Sequence, residues 1–227
     1  MSMEPILGIA KFFPFFLSSS FFLIIYPRRY TQPNSIYIIF KCIPILSLAL
    51  FVLFNLKKTE NPDYLIRIFF GLVISAIADA VICSEKYFLV AVGLFALVHI
   101  IYLSSFGFRP FRLRIFLIIA LIETCCFFYL IPFIKNYLLK YILTRYVTLL
   151  FMMIWRSISQ INFYTGYNDW SKISGALGSI LFGISDITLC YSMYAQNLEF
   201  GNLIIMSTYY YAQAGIAFSV LSSKEKV

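Results

Sequence analysis

Two aspartates occupy the same local setting inside apolar sequence. Asp79 lies in Gly71-Leu-Val-Ile-Ser-Ala-Ile-Ala-Asp79-Ala-Val-Ile-Cys83, and Asp186 in Gly178-Ser-Ile-Leu-Phe-Gly-Ile-Ser-Asp186-Ile-Thr-Leu-Cys190. Both fit Gly-x7-Asp-x3-Cys. A carboxylate in hydrocarbon costs about 2.5–3.5 kcal/mol on insertion scales, so each one calls for a function. Two of them, related by an internal repeat, point to a site built from matched halves. Carboxylates brought together in low dielectric do not readily both ionise, so the pair can hold a proton for acid–base chemistry. The same arrangement can also bind a coupling ion in a transporter.

Further polar groups fall in apolar runs. Lys41 stands in Phe40-Lys41-Cys-Ile-Pro44, His99 is the single histidine, and Arg156 follows Trp155. His99 and Tyr102 are three apart, as are Tyr210 and Gln213, so each pair shares a helix face. Lys41 is read either as snorkelling to the interface or as a countercharge for an aspartate or for a lipid phosphate. Arg156 is read as snorkelling to the cytosolic face or pairing with an aspartate, and Glu123 has no evident role. One histidine and five cysteines without a CxxC leave too few ligands for a metal site, and no cofactor motif occurs.

These residues must be held by membrane-spanning helices. The chain of 227 residues is 61% hydrophobic and only 12% charged, against roughly 25% charged in a soluble domain. Eight segments have the roughly 20 mostly apolar residues that a span needs: 6–26, 36–56, 64–83, 87–106, 112–132, 141–162, 172–193 and 201–221. The expected fold is all-α, a single bundle over 1–227, with a parallel repeat relating spans 3–4 to spans 7–8. Connections such as Pro27-Arg28-Arg29, Lys57-Lys58 and Gly166-Tyr-Asn-Asp169 are too short for a second domain. With no soluble domain, the net charge of +8 reads as orientation and contact with anionic membrane lipids, not nucleic-acid binding.

Even span number puts both termini on one side. That side carries Lys57, Lys58, Arg109, Arg112, Arg114, Lys172, Lys224 and Lys226, against Arg28, Arg29, Lys86, Lys135 and Lys140 opposite. The positive-inside rule then predicts cytosolic termini. Lys41, Asp79 and Asp186 all fall toward the other face, so contact among them is possible. Location in the endoplasmic reticulum is expected for a eukaryotic chain and in the cytoplasmic membrane for a bacterial one.

Several stretches together resemble the lysoplasmalogenase family of YhhN-like membrane proteins. They are the Ser/Ala-rich run ending in Asp79, Gly93-x5-His99-x2-Tyr102, the second run ending in Ser185-Asp186, and Tyr209-Tyr-Tyr-Ala-Gln213. The resemblance implies hydrolysis of the vinyl ether bond of lysoplasmalogens to a fatty aldehyde and glycerophosphoethanolamine or glycerophosphocholine. It implies Asp79 and Asp186 as the catalytic pair, with Lys41, His99, Tyr102, Tyr210 and Gln213 on motif positions around the substrate. Family members often carry Lys-Pro in span 2; here Cys42 follows Lys41 and the proline comes at Pro44.

Vinyl ethers hydrolyse by protonation at the β-carbon and capture of the oxocarbenium ion by water, a need for acid, base and negative charge that two carboxylates meet, as in glycoside hydrolysis. Asp186 is taken as the acid and Asp79 as the base. A lysophospholipid would enter sideways between spans, with its phosphate on Lys41 or Arg156 and tyrosines on the glycerol. The competing readings are an ion-coupled transporter of lipid or small solute and an inactive member with a regulatory role.

Overall fold

The structure is a computed structural model that describes residues 11–28, 33–56, 61–162 and 170–221. Among these are eight α-helices: α1 Phe13–Ile25, α2 Ser35–Phe54, α3 Pro62–Val81, α4 Phe88–Phe106, α5 Leu113–Leu130, α6 Tyr137–Ser159, α7 Trp170–Tyr194 and α8 Gly201–Phe218. Single 3-10 turns, Glu85–Tyr87 and Ile131–Phe133, precede α4 and follow α5. Of the loop residues named above, Arg29, Lys57, Lys58, Lys224, Lys226 and the 166–169 turn lie outside the described residues.

Helix starts follow local chemistry. Asn34, Asn61 and Asn136 cap α2, α3 and α6, each side chain accepting from the backbone N–H three residues on, at Tyr37, Tyr64 and Leu139. Pro62 occupies the first turn of α3, where its missing donor costs nothing. Gly107, at φ 71°, ends α4.

Six of the helices, α2 to α7, are long and apolar enough to cross a membrane. The other two expected spans differ for separate reasons. Helix α1 runs only from Phe13 to Ile25, 13 residues against the expected 6–26. Helix α8 has 18 residues but carries Asn202, Ser207, Thr208, three tyrosines and Gln213, because much of its surface faces protein.

Helix α3 packs between α2 and α4, α7 lies along α8 and also meets α6, and α4 meets α6 while α2 meets α8. Helix α5 is peripheral, with only Ile119 and Leu130 buried. The repeated glycines set two of these contacts. A Cβ on Gly71 would lie 2.1 Å from the Tyr102 ring of α4. A Cβ on Gly178 would lie 2.6 Å from the Ala212 carbonyl of α8, and one on Gly215 2.8 Å from the Ser174 carbonyl of α7. Small residues therefore bring each aspartate-bearing helix against its successor, backbone to backbone in the α7–α8 pair.

Candidate active site

Asp79, in the last turn of α3, is almost fully buried and bonded on both carboxylate oxygens. Lys41 Nζ of α2 lies 3.4 Å from Oδ1, and Tyr209 Oη of α8 donates to Oδ2 at 2.6 Å. Lys41 also donates to the Asp79 carbonyl at 3.3 Å. Its own carbonyl accepts from Tyr210 Oη at 2.9 Å, in the turn preceding Pro44. The lysine is thus tied at its head and at its backbone, and the shifted proline leaves it aimed at Asp79.

One turn below, Gln213 Nε2 donates to Ser75 Oγ at 3.0 Å, and Tyr102 Oη donates to Gln213 Oε1 at 2.8 Å. Ser75 and Asp79 are four apart on α3, and Gln213 and Tyr209 four apart on α8, so two facing pairs lock the helices in register. Tyr102 and Gln213 are fully buried behind Asp79. They position Tyr209 and do not line the open space.

Asp186, two-thirds of the way along α7, has a different shell. Tyr146 Oη of α6 donates to Oδ2 at 2.5 Å, and His99 Nε2 of α4 stands 3.0 Å from the same hydroxyl and 3.6 Å from Oδ2. Tyr146 spends its proton on the carboxylate, so Nε2–H donates to the tyrosine oxygen. His99 is buried, and its Nδ1 has no hydrogen-bond partner among the described residues. The Oδ1 of Asp186 makes no hydrogen bond among the described residues, and the side chain is 15% exposed against 3% for Asp79. Phe182 sits between the two halves, its ring edge-on to both His99 and Tyr209.

Both aspartates face one cavity of about 920 Å³, also lined by Lys41, Tyr146 and Tyr209. Its lining comes from one end of the bundle, the C-terminal parts of α3, α5 and α7 and the N-terminal parts of α2, α4, α6 and α8. One wall is apolar, with Phe127, Leu130, Leu143, Val147, Leu150 and Leu189 between α5, α6 and α7. The opening is polar, with Arg28, Glu85, Asn197, Glu199 and Asn202.

The sequence points to Tyr210 at the site and assigns no role to Tyr146 or Tyr209, which are the tyrosines that bond the carboxylates. The four-residue spacing of Tyr209 and Gln213, matching Ser75 and Asp79, was the available signal. Tyr146 gave none beyond being one of 17 tyrosines. Arg156 lies elsewhere. It is fully buried near the opposite end of α6, where its guanidinium donates to the carbonyls of Gly107 at 2.6 Å and Pro110 at 2.8 Å and stacks on Trp155. That side chain fastens the α4–α5 connection and does not reach the cavity. Glu123 accepts from Thr148 Oγ1 at 2.7 Å, joining α5 to α6.

The sequence profile described as the YhhN family matches residues 36–220. The chain belongs to the YhhN family. Relatives similar over nearly their whole length include Lysoplasmalogenase TMEM86A of Bos taurus and of Homo sapiens, each 31% identical over 220 residues, 96% of this chain and 91% of theirs. Lysoplasmalogenase TMEM86B of Sus scrofa is 32% identical over 210 residues, 92% of this chain and 85% of its own. No solved structure matches. This YhhN member is accordingly an integral membrane protein, and its two aspartate-bearing runs, Gly71–Asp79 and Gly178–Asp186, both fall within the matched region.

Proposed function

We propose that this YhhN member is a lysoplasmalogenase, a hydrolase that cleaves the vinyl ether of a lysoplasmalogen to a fatty aldehyde and a glycerophosphodiester. The observation that carries the reading is the single cavity faced by two carboxylates, apolar along one wall and polar at its opening. Such a space suits a one-tailed amphiphile whose reactive bond lies between tail and headgroup. The names of the relatives agree with it.

The two shells suggest the division of labour. Asp79 is held between the Lys41 ammonium and the Tyr209 hydroxyl. It is the anion beside the developing oxocarbenium ion and the base for water. Asp186 keeps Oδ1 free for a proton while Tyr146 fixes Oδ2. Asp186 gives its proton to the β-carbon of the vinyl ether, and Asp79 takes one from the water that adds to the α-carbon. Asp186 then accepts the hemiacetal hydroxyl proton while Asp79 returns its proton to the departing glycerol oxygen. One water is consumed and both carboxylates recover their starting states.

The partners of each aspartate support the repeat as well. Asp79 is met by the helix before it, α2, and by α8; Asp186 by the helix before it, α6, and by α4. Exchanging the halves α2–α4 and α6–α8 exchanges these roles.

The test uses purified protein and lysoplasmenyl ethanolamine in D2O. Protonation at carbon predicts a fatty aldehyde carrying one deuterium at its second carbon. Aldehyde without that deuterium would exclude the carbon-protonation route. Absence of aldehyde, with lipid moved across a vesicle membrane, would favour a transporter.

A further inference from the structure

We propose that Arg28, Glu85 and Glu199 at the opening of the cavity form a headgroup site selective for zwitterionic, ammonium-bearing phosphodiesters. The proposal rests on reading the cavity as a lysophospholipid site and deepens it. Two cations line the cavity among the described residues, Arg28 and Lys41. Lys41 is committed to Asp79 through its head, and Arg156 is bonded elsewhere. Among the described residues, Arg28 is therefore the cation available to a phosphate.

Its position is built. Asn202 Nδ2 of α8 donates to the Tyr26 carbonyl at 2.9 Å and to the Arg28 carbonyl at 3.4 Å, fixing the backbone that carries the guanidinium over the opening. The guanidinium meets Glu199 with Nη2 3.2 Å from Oε1, both side chains 71% exposed. An ion pair so exposed is worth little, so a ligand can part it at low cost. Glu85, on the 3-10 turn before α4, lines the same opening and has no ion-pair partner among the described residues.

The opening thus offers one cation and two carboxylates. A phosphodiester takes the fork of Arg28, which suits paired phosphate oxygens. Glu199, once released, and Glu85 then face the ammonium. A headgroup that ends at the phosphate gains Arg28 but leaves two carboxylates opposing its own charge. Complementarity of this kind sets specificity more than affinity.

Two lipids with the same alkenyl chain separate the possibilities: lysoplasmenyl ethanolamine and alkenyl glycerophosphate, which lacks the amine. The readout is kcat/KM for aldehyde release, with a second readout on Asp186→Asn protein, where displacement of a fluorescent lysolipid by the saturated ether analogues reports binding without hydrolysis. The wild type should prefer the amine-bearing lipid by about fivefold, the size of an exposed charge contact of about 1 kcal/mol. In Glu85→Gln/Glu199→Gln the preference should fall below about threefold. Arg28→Gln should raise KM for both lipids with kcat within about threefold, and the charge exchange Arg28→Glu/Glu199→Arg should recover part of that loss. An unchanged preference in the double glutamine variant, in binding as in turnover, overturns the proposal. If no lipid yields aldehyde but binding preference shifts as described, hydrolysis is wrong while the headgroup site stands. No preference in binding by the otherwise intact Asp186→Asn protein also overturns it.

Discussion

Tyr146→Phe isolates the chemistry of Asp186. The hydroxyl donates to Oδ2 at 2.5 Å and accepts from His99; the ring otherwise stays in place, packed on His99 at 5.1 Å. When Asp186 gives up its proton, the carboxylate it becomes is held by this bond. Hydrogen bonds to charged groups are worth about 1.5–3 kcal/mol, so losing one felt mainly in the transition state should cut kcat by about ten- to a hundredfold. The phenyl ring keeps its place in the cavity wall, and KM should stay within about threefold. Stability should respond less, since side-chain hydrogen bonds in a bilayer average about 0.6 kcal/mol. Steady-state aldehyde release over a substrate range gives kcat and KM, and a thermal scan in detergent gives stability. A fall in kcat smaller than about threefold, or a loss carried wholly by KM, would refute the idea that Tyr146 steadies Asp186 as the acid.

Other perturbations probe the scaffold. Lys41→Met strands Asp79, and breaking a buried pair costs about 3–5 kcal/mol; adding Asp79→Asn should restore the thermal midpoint without restoring aldehyde release. Gly178→Ala, whose new methyl would meet the Ala212 carbonyl at 2.6 Å, should lower the yield of folded protein, whereas Gly93→Ala, with nothing within 4 Å, should not; fluorescence-detected size exclusion distinguishes them. Arg156→Gln should lower stability by removing the tie to Gly107 and Pro110 and leave the KM of surviving protein unchanged. Tags at both termini should be labelled from the cytosolic side only; labelling from the other side would invert the proposed orientation.

What could be read from sequence was charge out of place. Asp79, Asp186, Lys41 and His99 stand out in apolar runs because hydrocarbon makes such residues costly, and the structure gathers them around one end of the bundle. The repeated glycines were legible as close-packing points and act as such at Tyr102 and Ala212. Tyrosine carries no such signal, because it is also the ordinary residue of the membrane interface. Tyr146, which holds Asp186, therefore looks like its neighbours, and Tyr209, which holds Asp79, is marked only by its spacing to Gln213. Arg156 was ambiguous for a geometric reason. Its long side chain can reach either way from one backbone position, and the carbonyls that claimed it belong to a turn formed by the α4–α5 connection. Helix α8 departs from span composition because its tyrosines and Gln213 answer polar groups on α2, α3 and α4, a demand set by neighbours distant in sequence.

A two-carboxylate mechanism requires Asp79 and Asp186 to act as one catalytic unit. Its most direct test is aldehyde release by Asp79→Asn, Asp186→Asn and the double variant, each first verified as folded. Asparagine keeps the size but neither donates an acidic proton nor serves as a base. General acid–base groups contribute about 10²–10⁴-fold, and members of one unit are not additive. Each single variant should lose at least about a hundredfold, and the double variant should be little worse than either. A loss below about tenfold in either folded single variant would contradict a two-carboxylate mechanism and leave that aspartate a structural role.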